Sequence, residues 1–231
     1  FRVGMWLKSS ITTDANDISF RDDDATDLTT PFDNVAISPL TADTWTYTSV
    51  AIGAPRLALR SYGFWMTDDF AGTTIKADSI SALFDAGESA VNWTGSSADV
   101  TVAATAAAGT FIEGVAGLRC TFAETAAIND GCRRSGTAIT IGPLTTVSMW
   151  VRSSIALNAG DLQWLDDGTA ALASPEDTIN LSAIPANTWT YVTLTAANSA
   201  NKSTASYGLR QTVDKGAFTL DIDAIGKQIS N

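Results

Sequence analysis

The heptad Ala42-Asp43-Thr44-Trp45-Thr46-Tyr47-Thr48 returns as Ala186-Asn187-Thr188-Trp189-Thr190-Tyr191-Val192, 144 positions further along the chain. The copy extends well beyond seven residues. At the same offset, Met5-Trp6-Leu7-Lys8-Ser9-Ser10-Ile11 meets Met149-Trp150-Val151-Arg152-Ser153-Ser154-Ile155. Asp17-Ile18-Ser19-Phe20-Arg21-Asp22-Asp23 meets Asp161-Leu162-Gln163-Trp164-Leu165-Asp166-Asp167, Pro31 falls on Pro175, and Ile37 on Leu181. After one inserted residue the offset becomes 145, and Ser61-Tyr62-Gly63 meets Ser206-Tyr207-Gly208. Thr74-Ile75 and Asp78-Ser79-Ile80 close the match against Thr219-Leu220 and Asp223-Ala224-Ile225. A self-match this long marks a duplicated structural unit, so each feature can be read twice.

Within both copies the apolar residues alternate. In Val147-Ser148-Met149-Trp150-Val151-Arg152 the Val, Met and Val side chains share one face, and Ser, Trp and Arg the other. Short alternating segments bounded by Gly, Asn, Asp and Pro predict an all-β chain of two tandem jelly-roll β-sandwich domains. The best helical stretch, Ala103 to Ala108, is interrupted by Thr105 and lies just before Gly109. Residues 82–231 read as a complete second repeat, and residues 1–81 as the C-terminal part of a first, lacking its N-terminal strands. Val3, Met5 and Leu7 should then face an open side. That side calls for upstream sequence or a partner chain to cover it.

With 14 Lys and Arg against 25 Asp and Glu, the net charge of −11 speaks against nucleic acid. No apolar run approaches the roughly 20 residues of a membrane span. The start, Phe1-Arg2-Val3-Gly4-Met5, reads as mid-strand and not as a leader, as in a piece processed from something longer. Histidine is absent, which removes Ser-His-Asp and Cys-His catalysis and the His-containing zinc sites. Cys120 and Cys132 flank a polar turn and read either as a hairpin disulfide or as two buried thiols.

Three positions carry binding chemistry in this pattern. Trp6 with Lys8, and Trp150 with Arg152, alternate away from the core face; Trp65 and its counterpart Arg210 do the same on another strand. An outward Trp beside a cation gives a flat apolar platform and a charged donor, a combination that suits a sugar ring. The competing reading is that a loop or the neighbouring domain covers Trp150. Trp45 and Trp189 read as packed at a sheet margin. The carboxylate runs Asp22-Asp23-Asp24, Asp68-Asp69 and Asp166-Asp167 end strands, and neighbouring strand residues point to opposite faces. They therefore read as turn formers and not as a glycosidase pair, so the chain is read as a non-enzyme.

The second repeat resembles the jelly-roll carbohydrate-binding modules of galactose-binding-like fold. The resemblance rests on Phe84-Asp85-Ala86-Gly87, the Met149–Ser154 strand, Asn187–Leu194 and Leu220–Ile225. Tandem units ending like Asp214–Leu220 are also similar to those of bacteriophage virion proteins. The resemblance implies a structural calcium at Asp85 and Asp223, with Asp78 as the counterpart in repeat one; the residues by themselves read as solvated carboxylates at strand ends. It implies adhesion to glycans, or to neighbouring proteins of a virion or secreted assembly, with homo-oligomers as a further partner. Two alternatives stand beside it: a module of a secreted polysaccharide-degrading enzyme, or a purely structural decoration protein.

Overall fold

A computed structural model describes residues 2–23, 31, 33–53, 61–67, 72–85, 89–112, 114–141, 145–172, 174–197 and 202–228. The described residues contain no helix. Sixteen strands run in order: β1 Arg2–Ser9, β2 Ile18–Asp23, β3 Asp33–Ala36, β4 Thr46–Ala51, β5 Ser61–Met66, β6 Ile75–Asp85, β7 Trp93–Gly95 and β8 Val100–Thr105. They continue with β9 Gly117–Phe122, β10 Gly131–Ile141, β11 Thr146–Ser153, β12 Leu162–Asp167, β13 Asp177–Asn180, β14 Thr190–Thr195, β15 Lys202–Gln211 and β16 Phe218–Gln228. The Ala-rich stretch is thus part of strand β8 and the turn after it. Two compact units emerge, Phe1–Leu83 with Gln228–Asn231, and Phe84–Lys227.

In the first unit β1 pairs with β4 and β6, and β2 with β3 and β5, all antiparallel. Val3, Met5 and Leu7 alternate inward from β1 and are fully buried. They pack with Ile18, Phe20, Ile37, Leu40, Val50 and Ile52. Each such side chain contributes about 1.5–3 kcal/mol by leaving water. The open core face expected for repeat one is therefore absent: its own sheet β3-β2-β5 closes it. What remains uncovered is an edge, since β5 has no second neighbour among the described residues.

The second unit repeats this arrangement and widens it. Its sheets run β14-β11-β16-β9-β8 and β13-β12-β15-β10-β7. The strands β7 to β10 are the addition, supplied by the residues that have no counterpart in repeat one. The shared strands keep register residue for residue. Trp6 lies opposite Tyr47 and Trp150 opposite Tyr191; Phe20 lies between Val35 and Phe64, and Trp164 between Ile179 and Leu209. Phe20 stacks on Tyr62 and Trp164 on Tyr207, both at an interplanar angle of 20°.

Even the irregularities are duplicated. The ladder shifts between Gly4 and Trp6, and again between Ser148 and Trp150. At the facing positions Ser79 and Ala224 are left-handed, with φ of 51° and 49°. A non-glycine residue there is strained, and a local hydrogen bond holds it in place. Ser79 N–H donates to Asp78 Oδ1 at 2.7 Å, and Ala224 N–H donates to Asp223 Oδ1 at 2.8 Å.

Candidate functional site

Strand alternation places Trp6, Lys8, Trp150 and Arg152 on the outer faces of their sheets, as expected, but the two copies are finished differently. In repeat two the segment between β8 and β9 lies across that face. Gly109 O accepts from Arg152 Nη1 at 2.8 Å and from Trp189 Nε1 at 3.1 Å, while Ile112 N–H donates to Asp223 Oδ2 at 2.6 Å. Trp150 is consequently only 9% exposed and packs on Tyr191. Arg152 is further engaged by Asp221, which Arg119 also grips with both Nε and Nη2. Of the two readings of Trp150, an exposed platform or a covered side chain, the second holds: a loop covers it. In repeat one Trp6 is half-buried against Tyr47, Lys8 pairs with Asp43 at 3.7 Å, and Trp45 is exposed and not packed at the margin.

The face open in both copies belongs to the other sheet. On repeat one it carries Trp65, 50% exposed, with the Arg21 guanidinium 4.1 Å from its ring centre. Arg21 is held in turn by Asn34, whose Oδ1 accepts from its Nε at 3.2 Å. On repeat two Arg210 takes the Trp65 position. Its Nε donates to Gln163 Oε1 at 3.0 Å, and Gln163 Nε2 donates to Asn180 Oδ1 at 2.8 Å, a polar chain across three strands. Beside it a recess of about 90 Å³ opens between Arg133, Arg210, Leu165 and the loop residues Ala171 and Leu172. Of the side chains on this face, the sequence pattern singles out Trp65 and Arg210 and leaves Arg21, Asn34, Gln163, Asn180 and Arg133 unmarked. A usable signal was the twin spacing Gly131-Cys132-Arg133 and Gly208-Leu209-Arg210.

The acidic candidates are engaged by groups of the protein itself. Asp85 Oδ2 accepts from Trp93 Nε1 at 2.7 Å and from the Tyr207 hydroxyl at 3.2 Å, and pairs with Arg134 at 2.7 Å. Burial, and then the Asp85 charge, push the Tyr207 hydroxyl far above its ordinary pKa. Calcium requires a shell of oxygen ligands, whereas Asp85 is surrounded by hydrogen-bond donors and a guanidinium. Asp223 spends its oxygens on backbone N–H groups, and Asp78 serves the bulge. No cluster of three or more carboxylate, thiol or imidazole groups suited to a metal occurs among the described residues. The calcium expectation does not fit these side chains.

The carboxylate runs anchor loops, with a matching pattern in each repeat. Asp22 Oδ1 accepts from Asp33 N–H, and Asp166 Oδ1 from Asp177 N–H; Asp33 then accepts from Gly53, and Asp177 from Ala197. Asp167 binds the N–H groups of Thr169 and Ser174. Asp24, Asp68 and Asp69 lie outside the described residues. Cys120 and Cys132 do not share a hairpin: β9 pairs with β8 and β16, while β10 pairs with β7 and β15. Their thiols meet inside the core from opposite sheets. Burial first, and then the Cys132 thiol, raise the Cys120 pKa well above its usual value.

Asp161 provides a pH handle on repeat two. Burial opposes its ionisation, but the Lys215 ammonium at 2.7 Å and the Asn158 N–H at 2.6 Å hold its pKa below the ordinary 3.8. A depressed carboxylate pKa contributes stability that is complete above the unfolded value and fades as pH falls through the folded one. Asp161→Asn should therefore be less stable than the parent near pH 7. In urea titrations that gap should close as the pH is lowered beneath 3.8. A gap independent of pH would refute the ionic contribution.

No protein-family model and no curated protein sequence matches the chain. Among solved structures, the tandem CBM22-1–CBM22-2 domain of Paenibacillus barcinonensis Xyn10C aligns over 99% of this chain and 78% of its own, at 10% identity and a TM-score of 0.47. The CBM22-1 xylan-binding domain of the same enzyme aligns over 62% of this chain and 90% of its own, at 16% identity and a TM-score of 0.43. The CBM22-1–GH10 modules of Clostridium thermocellum xylanase 10B, complexed with xylohexaose, give 12% identity and a TM-score of 0.44 over 64% of this chain. The chain spans 28% of those modules. All three contain carbohydrate-binding modules. No ligand passes from them to this chain at such identities.

Proposed function

We propose that this chain is a non-catalytic glycan-contacting protein whose binding faces are the outer sides of β3-β2-β5 and of β13-β12-β15. The observation that carries this is Trp65. A half-exposed indole stacked on Arg21 forms a flat apolar platform with donors at its margin. Exposed at that level, the indole has no core role, whereas a pyranose ring offers a matching apolar face. Its counterpart Arg210 occupies the same strand position in repeat two, so the faces form a tandem pair. Two linked weak sites raise retention on a polymer that offers many copies of a sugar.

The setting proposed is the outside of a virion or a secreted assembly, where the protein would act in adhesion. The other setting is targeting of a polysaccharide-degrading enzyme. Capsid or tail genes beside the coding sequence would mark the first, and a catalytic domain in the same reading frame the second. The test of glycan binding is retention on neutral polysaccharide gels. The parent chain should be retarded, and Trp65→Ala should weaken binding about tenfold, the equivalent of about 1.4 kcal/mol, with the melting temperature unchanged. Identical retention of parent and Trp65→Ala would remove Trp65 from the site.

A further inference from the structure

We infer that the recess on repeat two receives the carboxylate of an acidic sugar, a uronic acid residue within a polysaccharide. This rests on the glycan reading above and names the sugar class for one of its two faces.

The recess is built by two Gly-x-Arg segments in antiparallel register. Gly131 of β10 lies opposite Arg210 of β15, and Arg133 lies opposite Gly208. The two arginines thus stand on one diagonal and the glycines on the other, with Gly131 in the wall of the recess. The glycines are required. A Cβ on Gly131 would come within 2.1 Å of Leu209 O, and one on Gly208 within 2.1 Å of Cys132 O. Among the described residues no carboxylate lines the recess, although the chain carries 25 acids and 14 bases.

The arginines there differ from the others of residues 84–227. Arg119, Arg134 and Arg152 each pair with an aspartate. Among the described residues Arg133 and Arg210 bond only to neutral oxygens, Ala171 O and Gln163 Oε1, and the buried Nε of Arg133 has no hydrogen-bond partner there. Two neighbouring like charges without a counter-ion repel each other, and an anion between them relieves the repulsion. A guanidinium is a planar fork that takes both oxygens of a carboxylate at once. Size selects what enters. Pockets for whole small molecules run to roughly 300–1,000 Å³. A recess of about 90 Å³ admits a pendant group only. The sugar ring would then lie outside, along the Arg210-Gln163-Asn180 chain.

The experiment compares the intact chain on immobilised polygalacturonate, its methyl ester, neutral xylan, polyglutamate and dextran sulfate, at low and physiological salt. The chain should be retained more strongly on polygalacturonate than on its methyl ester, polyglutamate or dextran sulfate. The double variant Arg133→Gln/Arg210→Gln should lose at least tenfold in affinity for polygalacturonate, a larger factor than any loss it shows on neutral xylan. Arg133→Lys/Arg210→Lys keeps the charge but not the fork and should fall between. Should the glutamine variant not fold, the acid-against-ester comparison on the parent and the lysine variant decide. Equal retention of acid and ester, preference for dextran sulfate or polyglutamate, or indifference to both double variants would overturn the inference. Binding confined to neutral xylan and dependent on Trp65 would overturn it while leaving the glycan reading intact. Absence of binding to every polysaccharide would bring down both.

Discussion

Replacing Asp85 by Ala is expected to cost residues 84–227 about 3–5 kcal/mol, the range for removing one partner of a buried ion pair. Asp85 is 8% exposed, and its Oδ2 alone receives the Trp93 indole, the Tyr207 hydroxyl and the Arg134 guanidinium. The truncation would strand a cation and two donors in a site with little water. Most of the loss is that desolvation and not the attraction itself. Two companion variants separate the causes. Asp85→Asn keeps an acceptor for Trp93 and should lose less. Adding Arg134→Met to Asp85→Ala removes the stranded charge and should recover part of the loss, a non-additivity that a double-mutant cycle reads directly. Urea denaturation followed by tryptophan fluorescence measures all three. A loss below about 1 kcal/mol for Asp85→Ala would show that the charge escapes to water.

Asp85 also illustrates what the sequence withholds. Its place at the end of an alternating strand was legible, but its partners were not. Arg134 and Tyr207 lie 49 and 122 residues away, and Arg134 is brought near by β10, a strand that has no copy in repeat one. By contrast, whatever the duplication controls could be read directly. A constant offset forces Trp6 and Trp150 into the same cross-strand pairing, because a slip of one residue would turn every side chain to the wrong face. Alternation correctly put Trp150 outside its sheet. It could not reveal the segment around Gly109 that covers it, since periodicity reports a direction and not what lies beyond. The left-handed Ser79 and Ala224 were equally hidden, as neither is a glycine and only an aspartate one residue earlier hints at the bulge. The recess failed to register for another reason. Repeat one has Trp65 and Arg21 on that face, so matching the copies drew notice to what they share. Arg133 has no counterpart to match.

The two cores allow a matched test of how far the copies are separate folding units. Phe20 and Trp164 occupy equivalent positions, are 0% and 1% exposed, and stack on Tyr62 and Tyr207. Truncating a buried aromatic to Ala costs about 3–5 kcal/mol, through lost transfer energy and the cavity left behind. The consequence should differ between the copies because the units differ in size. The first comprises residues 1–83 with the last four residues, the second residues 84–227. A smaller unit buries a smaller share of its surface and holds a thinner margin. Each kcal/mol moves the melting midpoint by roughly 4–8 °C in a domain of 60–100 residues and by roughly 2–4 °C in one of 150–250. Phe20→Ala should therefore nearly abolish the first unit's transition and leave the second in place. Trp164→Ala should lower the second unit's midpoint by a more moderate step while the first persists. Differential scanning calorimetry with near-ultraviolet circular dichroism distinguishes the transitions. If Phe20→Ala lowered both by the same amount, the units would melt as one. The duplication would then describe the history of the sequence and not the cooperativity of the fold.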